Sequence, residues 1–228
     1  MTQIPILFED GESLVINKPG GLPLDKPRAG GASLDDRLDE LKLGFQRAPQ
    51  PVHRLDADTS GCLLLARNPK ALVRFAKAFE ERVVTKRYLG ILAGVPEQAE
   101  GTIELALAKI SSAEKGWRMI PARKGKPSIT HWKLLAEING RALVEFRPET
   151  GRTHQIRVHS ASGIGIPLLG DPVYGENAPG TRAWRTLLHA AGLEVPRDGK
   201  PAIVAHAPLP EDFAGLGFTD PAAPQGDA

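Results

Sequence analysis

Three pairs of strand-like runs in this 228-residue chain are joined by turns too short to hold a crossover helix. Ile4 to Phe8 and Ser13 to Ile16 flank Glu9-Asp10-Gly11-Glu12, Ile129 to Ile138 and Ala142 to Arg147 flank Asn139-Gly140, and Leu193 to Val195 and Ala202 to Ala205 flank a turn at Asp198-Gly199. Parallel neighbours need a connection of a dozen or more residues, whereas antiparallel ones close through a short turn. Asn-Gly is a strong signal of this kind, because a type I′ turn needs positive φ at both central positions. Further strand-like runs lie at Val83 to Leu92 and from Ile103. The expected architecture is α+β, a largely antiparallel mixed sheet with packed helices and loops.

Helices are expected where apolar residues recur at helical spacing. Ser33 can cap a short helix carrying Leu34, Leu38 and Leu41. Asn68-Pro69 reads as N-cap and first helical residue, followed by a stripe of Leu72, Phe75, Ala76 and Phe79 assigned to the core. Thr153 to about Ser162 reads as helical, ending near Gly163, and Thr181 can cap a helix with Trp184, Leu187, Leu188 and Ala191, closed by Gly192. One catalytic domain over residues 1–218 is expected, with a Pro/Ala/Gly-rich tail from Thr219 expected to be disordered.

Hydrophobic residues make up 41% and charged residues 25%, ordinary values for a globular chain, and the net charge of +2 is too small for bulk basicity to imply a nucleic-acid partner. Any RNA-facing patch must come from clustering. One cysteine excludes a disulfide framework, and Cys62 sits in an apolar run. No stretch of apolar residues is long enough to cross a membrane, and no leader pattern opens the chain, so a cytoplasmic protein is expected.

Four segments carry chemistry. His53-Arg54-Leu55-Asp56-Ala57-Asp58-Thr59-Ser60-Gly61 places a carboxylate beside an arginine and a histidine at the start of a strand. Asp56 there can act as nucleophile, general base or metal ligand. Lys86-Arg87-Tyr88 alternates in a strand, so Lys86 and Tyr88 share a side, where a phenol can stack on a base and a cation meet phosphate; a snorkelling lysine and a half-buried tyrosine are equally compatible. In Glu149 to His159, Arg157 offers a fixed fork for a carboxylate, and His154 and His159 lack the spacing of a helical metal pair. A basic loop runs from Lys109 to Lys126 through Lys115, Trp117, Arg118, Arg123 and Lys124. No Gly-rich phosphate loop is present, and with no cysteine near His154 and His159 a zinc site is not expected.

Together these segments resemble the RluA-type RNA pseudouridine synthases. His53 to Gly61 matches that family's His-Arg-Leu-Asp-x-x-Thr-Ser-Gly motif, Lys86 to Tyr88 its Lys-x-Tyr element, and Gly151 to His159 its third motif; Gly170-Asp171-Pro172-Val173-Tyr174-Gly175 and Val15-Ile16-Asn17-Lys18-Pro19-Gly20-Gly21-Leu22 also fit. The resemblance implies a pseudouridine synthase catalytic fold with a central basic cleft and an isomerisation of uridine in RNA that needs neither cofactor nor metal. Asp56 is then the essential aspartate, either attacking the sugar or removing a sugar proton. Arg157 is expected to pair with it, Tyr88 to stack on the flipped uracil and assist proton removal from C5, Ile156 to pack against the base, and Arg54 to fill the gap in the RNA stack. His53, Lys86, Arg152, His154, Gln155, Arg123, Lys124 and Lys126 are expected to bind substrate. Base flipping is required, so a structured tRNA or ribosomal RNA stem-loop is the expected partner, with neither DNA nor a membrane, and the protein a monomer. The small N-terminal RNA-binding domain of many relatives is not expected here, so target choice is expected to rest on this domain, with the Lys109 to Lys126 loop and the loop near Lys26 and Arg28 contributing. Gly90 departs from the alanine common in relatives. A catalytically silent RNA-binding protein on the same fold is the alternative. A two-carboxylate glycosidase would need a partner acid, for which Asp171 is the candidate.

Overall fold

The structure, a computed structural model, describes residues 3–27, 29–112, 116–175 and 183–222. Its elements are β1 (Ile6–Glu9), β2 (Ser13–Lys18), β3 (Gln50–Pro51), β4 (Ser60–Ala66), α1 (Pro69–Glu80), β5 (Thr85–Leu92), β6 (Glu100–Ser112), β7 (Gly116–Pro121), β8 (Lys126–Ile138), β9 (Arg141–Pro148), α2 (Gln155–Val158), β10 (Leu188–Val195), β11 (Ile203–His206) and α3 (Glu211–Ala214). The chain forms two compact units, one of Met1–Lys86, His189–Pro208 and Ala222–Ala228, the other of Arg87–Leu188 and Leu209–Pro221. The α+β expectation holds in both.

In the first unit β1 and β2 form the expected hairpin, and β2 pairs antiparallel along all of β4. The other edge of β4 is shared. β3 takes its far end antiparallel, and β10 takes its start in parallel through His189↔Ser60 and Ala190↔Gly61. Every residue of β4 is buried, as its uninterrupted apolar run requires. Cys62 lies within it, and burial pushes its thiol up to about 12, so it behaves as a small core residue. Helix α1 begins as its sequence dictates: Asn68 Oδ1 accepts the Ala71 amide at 2.9 Å and Pro69 follows at the first helical position. Its buried face is rotated from the expected stripe. Ala71 and Phe75 are buried, Leu72 and Phe79 half-buried, and Ala76 is exposed. Ser33 caps as expected, exchanging hydrogen bonds with Asp36, but the turn that follows at Asp35–Leu41 is a 3-10 helix.

The second unit is an antiparallel sheet in the order β5-β9-β8-β6-β7. Asn139 and Gly140 adopt φ of 52° and 70°, the type I′ geometry their pairing implies. The core gathers Leu92, Ile103, Trp132, Val144, Phe146, Ile156, Leu168 and Leu188. Gly90 lies beneath it: a Cβ there would sit 2.7 Å from Leu168 Cδ2 and 2.9 Å from Phe146 Cε2, which accounts for glycine at this position.

Three expectations need correction. The described residues of the loop expected over 109–126 are instead the end of β6, strand β7 paired to it, the turn after β7 and the start of β8, because β-branched and aromatic residues such as Ile110, Trp117 and Ile120 favour a pleated surface. The helix expected from Thr181 to Gly192 is, over its described C-terminal part, strand β10, while Thr181 lies outside the described residues. Leu187 to Leu193 are buried on both faces, and burial of that kind gives no periodicity by which to tell helix from strand. Of the tail expected to be disordered, Asp220 is held by the Arg87 guanidinium at 2.7 and 2.6 Å; residues 223–228 lie outside the described ones.

Candidate active site

Asp56 lies in the first unit on a turn closed by the Thr59 amide donating to its carbonyl at 3.1 Å. The next carbonyl, Ala57, accepts the Gly21 amide at 2.9 Å and the Lys18 ammonium at 2.9 Å. Lys18 is fully buried and also donates to the carbonyls of Pro19 at 2.9 Å and Leu22 at 2.8 Å. A buried ammonium has to be surrounded by acceptors. Here the backbone supplies them, so the Pro19–Leu22 loop and the Asp56 turn are tied to one charge. On the far side of the turn, Gly61 has φ of 105°, and a Cβ there would lie 2.2 Å from the Ala190 carbonyl. The motif ends in glycine because β10 passes that close.

His53 has a structural task. Between the stretches of β4 covered by β3 and β10, the Leu64 amide meets no strand partner; it donates to His53 Nε2 at 3.0 Å, while the Leu64 carbonyl accepts Val52 N at 3.0 Å. The ring stacks on Phe79 with centroids 4.6 Å apart. Burial, then the Lys86 charge, push it from 6.5 down to about 3, so it is neutral and can accept. Lys86 itself is buried rather than solvated. Arg54, in contrast, is exposed beside Asp56 in the chain.

Tyr88 lies in the second unit, opposite Phe146 and half-buried against the core. Arg87 points to the other side, as alternation requires, and donates to Glu145 at 2.5 Å as well as to Asp220.

The third motif divides between structure and surface. Gln155 is buried with its amide saturated: Oε1 accepts Thr150 Oγ1 at 2.7 Å and Arg152 N at 3.0 Å, and Nε2 donates to Ile129 O and Thr130 Oγ1, both at 2.9 Å. That knot ties α2 to β8 and takes Gln155 out of substrate binding. Ile156 is likewise a core residue, 6% exposed. Arg152 Nε donates to the Pro127 carbonyl at 3.3 Å. His154, in the left-handed region at φ 52°, meets the Tyr174 hydroxyl through Nδ1 at 2.9 Å. His159 is fully buried on Ser128 at 3.0 Å, and burial lowers it to about 4.

Arg157 forms a fork on Asp171, Nε to Oδ2 at 2.7 Å and Nη2 to Oδ1 at 2.9 Å, with both side chains nearly inaccessible. Asp171 also accepts the amides of Val173 and Tyr174. Burial raises its pKa, but the Arg157 bonds and charge and the two amides outweigh this and hold it below the usual carboxylate range. A carboxylate held ionised in this way cannot be the proton-donating acid of a two-carboxylate glycosidase. Sequence reasoning did not find Asp171 as the partner of Arg157, nor Lys18 as the anchor of the turn. The signal for the first was an acidic residue before proline within a Gly-Asp-Pro turn, and for the second a lysine closing the strand Ser13–Lys18 just before the Pro19-Gly20-Gly21 turn.

Arg123 and Lys124 are exposed on the turn between β7 and β8, where Gly125 N donates to Ala122 O, and Lys126 opens β8. The structure therefore brings these three cations to one turn. Lys26 pairs loosely with Asp36 at 3.5 Å; Arg28 and Lys115 lie outside the described residues.

A family model described as RNA pseudouridylate synthase matches residues 12–162. An uncharacterised RNA pseudouridine synthase of Zymomonas mobilis is 54% identical over 213 residues, covering 93% of this chain and 97% of its own. Ribosomal large subunit pseudouridine synthase D of the same organism is 36% identical, covering 92% and 70%. Among solved structures, human RNA pseudouridylate synthase domain containing 4 superposes with a TM-score of 0.77 at 26% identity, over 92% of this chain and 90% of that one. Fold, motifs and relatives define an isomerase that modifies RNA. The chain belongs to the RNA pseudouridine synthase family, in its RluA-type branch, and converts uridine in RNA to pseudouridine.

Proposed function

We propose that Asp56 is the carboxylate that acts on the sugar of a flipped uridine, that Tyr88 lies against the uracil and serves the proton at C5, and that Arg157 takes part in the same reaction. The isomerisation breaks the N1–C1′ bond and forms C5–C1′; the proton leaving C5 is balanced by one gained at N1. No redox partner is needed. The observation that carries this reading is the anchoring of the Asp56 turn by the fully buried Lys18 ammonium. Rate through positioning depends on a carboxylate whose backbone does not wander, and a displacement of about 1 Å costs on the order of 10²-fold. Arg54, exposed next to Asp56 in the chain, is assigned to the gap left in the RNA stack.

The target is a structured stem-loop of ribosomal RNA or tRNA, acted on by a monomer in the cytoplasm. Unstacking a base is least costly in a loop. The relative named as a ribosomal large subunit synthase favours the ribosomal arm. Among the described residues no helix is long and apolar enough to cross a membrane. The test is a pseudouridine map of total RNA from a strain lacking this protein against its parent. Reintroduced wild-type protein restores the missing positions and Asp56→Ala restores none. Modification restored by Asp56→Ala would remove the aspartate from the reaction.

A further inference from the structure

A chain of side-chain contacts in the second unit runs outward from Arg157. The Arg157 guanidinium carbon sits 5.2 Å over the Tyr174 ring. The Tyr174 hydroxyl accepts the Met119 amide at 3.0 Å and shares a hydrogen bond with His154, whose ring meets Tyr174 edge-on at 5.7 Å. His154 in turn lies 4.9 Å from the Trp117 indole, tilted by 34°. The row ends at Lys109, whose ammonium is 4.9 Å over that indole. Strand register explains the alignment. Ser111 faces Trp117 and Lys109 faces Met119 across the β6–β7 hairpin, so Lys109, Trp117 and Met119 project from one face, the face on which Leu107 and Met119 pack against Val158 and Tyr174. Trp117 is 46% exposed on this row. A core role does not need an indole left half in water, and a lone exposed aromatic would not be buttressed by a histidine and a cation.

We propose that Trp117, braced by His154, is a stacking ledge for the base of an RNA nucleotide flanking the target uridine, with Lys109 taking its phosphate. The proposal rests on the RNA-modifying reading above and extends it to a residue that the family motifs do not contain. Stacking of a base on tryptophan outweighs an exposed cation–π contact, so an incoming base displaces the Lys109 ammonium from the indole towards the backbone phosphate.

The experiment measures pseudouridine formation in total RNA from the deletion strain at varied RNA concentration and salt. Wild-type protein and the variants Trp117→Leu, Trp117→Phe and Lys109→Gln are compared, each first checked for its melting temperature. Trp117→Leu is expected to raise KM about 10-fold with kcat within about twofold, since one base–aromatic stack accounts for about 5- to 100-fold in binding. Trp117→Phe recovers most of the loss, and the salt slope of both stays that of wild type. Lys109→Gln shallows the slope by about one phosphate contact. Quenching of tryptophan emission by an eight-residue oligouridylate is expected for wild type and lost in Trp117→Leu. Unchanged KM and quenching in Trp117→Leu, or a fall confined to kcat, would overturn the ledge. Absence of activity in the wild-type protein would instead sink the enzymatic reading on which it rests.

Discussion

The two regions assigned to chemistry are held in different ways. The Asp56 turn is fixed through the main chain: carbonyls of Pro19, Leu22 and Ala57 converge on Lys18, and an edge amide of β4 is taken by His53. The Arg157 corner is fixed through side chains, by the fork on Asp171 and the row Tyr174, His154, Trp117. Backbone anchoring sets the path of the loop whatever the exposed side chains are, but it depends on single residues with no chemical substitute. Side-chain anchoring distributes the same task, so it degrades by steps.

The sharpest way to break this contrast is Lys18→Met. It leaves three carbonyls without their buried donor, and each buried polar group left unsatisfied costs about 1 to 3 kcal/mol. A denaturant midpoint should fall accordingly, and activity should fall further than the folded fraction does. Lys18→Arg should not rescue, because a planar fork does not fit a fully enclosed site built for a compact ammonium. A Lys18→Met protein of wild-type stability would show that the turn is held elsewhere.

Arg157→Lys comes next. It keeps the charge and loses the fork, while Asp171 retains the Val173 and Tyr174 amides, so the expected cost is about 2 kcal/mol. If the corner only positions, kcat measured on fully folded protein stays near wild type. A fall of 10-fold or more assigns Arg157 to the reacting centre, as proposed.

Acid separates the regions differently, through His53 in the first and His159 in the second. His53 is lowered from 6.5 to about 3 and His159 to about 4, both chiefly by burial. Below 6.5 the unfolded chain takes up these protons and the native one does not, so stability falls as pH drops, by up to about 1.4 kcal/mol per pH unit for each ring. The His159 contribution is exhausted near pH 4, where both states are protonated. Among the described residues the buried His159 Nδ1 has no hydrogen-bond partner, so protonation there finds no acceptor among them. Denaturant unfolding at pH 7 and pH 5.5 should show a loss of about 2 kcal/mol, reduced by about half in His159→Gln. A flat profile would mean that both rings open to solvent before they titrate.

How much of this was legible in the sequence follows from which interactions are local. The hairpins announced themselves because Asn139-Gly140 satisfies its turn with its own backbone, and Asn68-Pro69 marked α1 because a cap bonds three residues on. The position of Asp56 was legible as a motif. What holds it was not: Lys18 is 39 residues from Ala57, and nothing in an apolar strand says which carbonyls will surround a charge. Arg157 read as a carboxylate partner, yet the choice of Asp171 over any other acid is a tertiary choice. The helix expected near Leu187 failed for a related reason, because a segment buried on both faces carries no period. His53 and Gln155 were assigned to substrate from the company they keep in a motif, whereas His53 Nε2 accepts an amide of β4 and Gln155 is bonded to Thr150, Arg152, Ile129 and Thr130.

The smallest effect is expected where neither kind of anchoring operates, at the turn carrying Arg123, Lys124 and Lys126. These cations are exposed, so their neutralisation should leave the fold within about 0.5 kcal/mol of wild type. Their contribution to RNA binding is electrostatic and set by released counterions, about 0.7 per phosphate for a single strand, so replacing all three by glutamine should shallow the log–log salt dependence by about 2 if each meets a phosphate. The affinity loss then disappears as salt rises. That signature is the opposite of the one expected for Trp117→Leu, which weakens binding equally at every ionic strength. Comparing the two variants on one RNA therefore divides recognition into charge from the turn and stacking from the hairpin. An unchanged slope in the triple variant would place the RNA backbone on other cations of the chain.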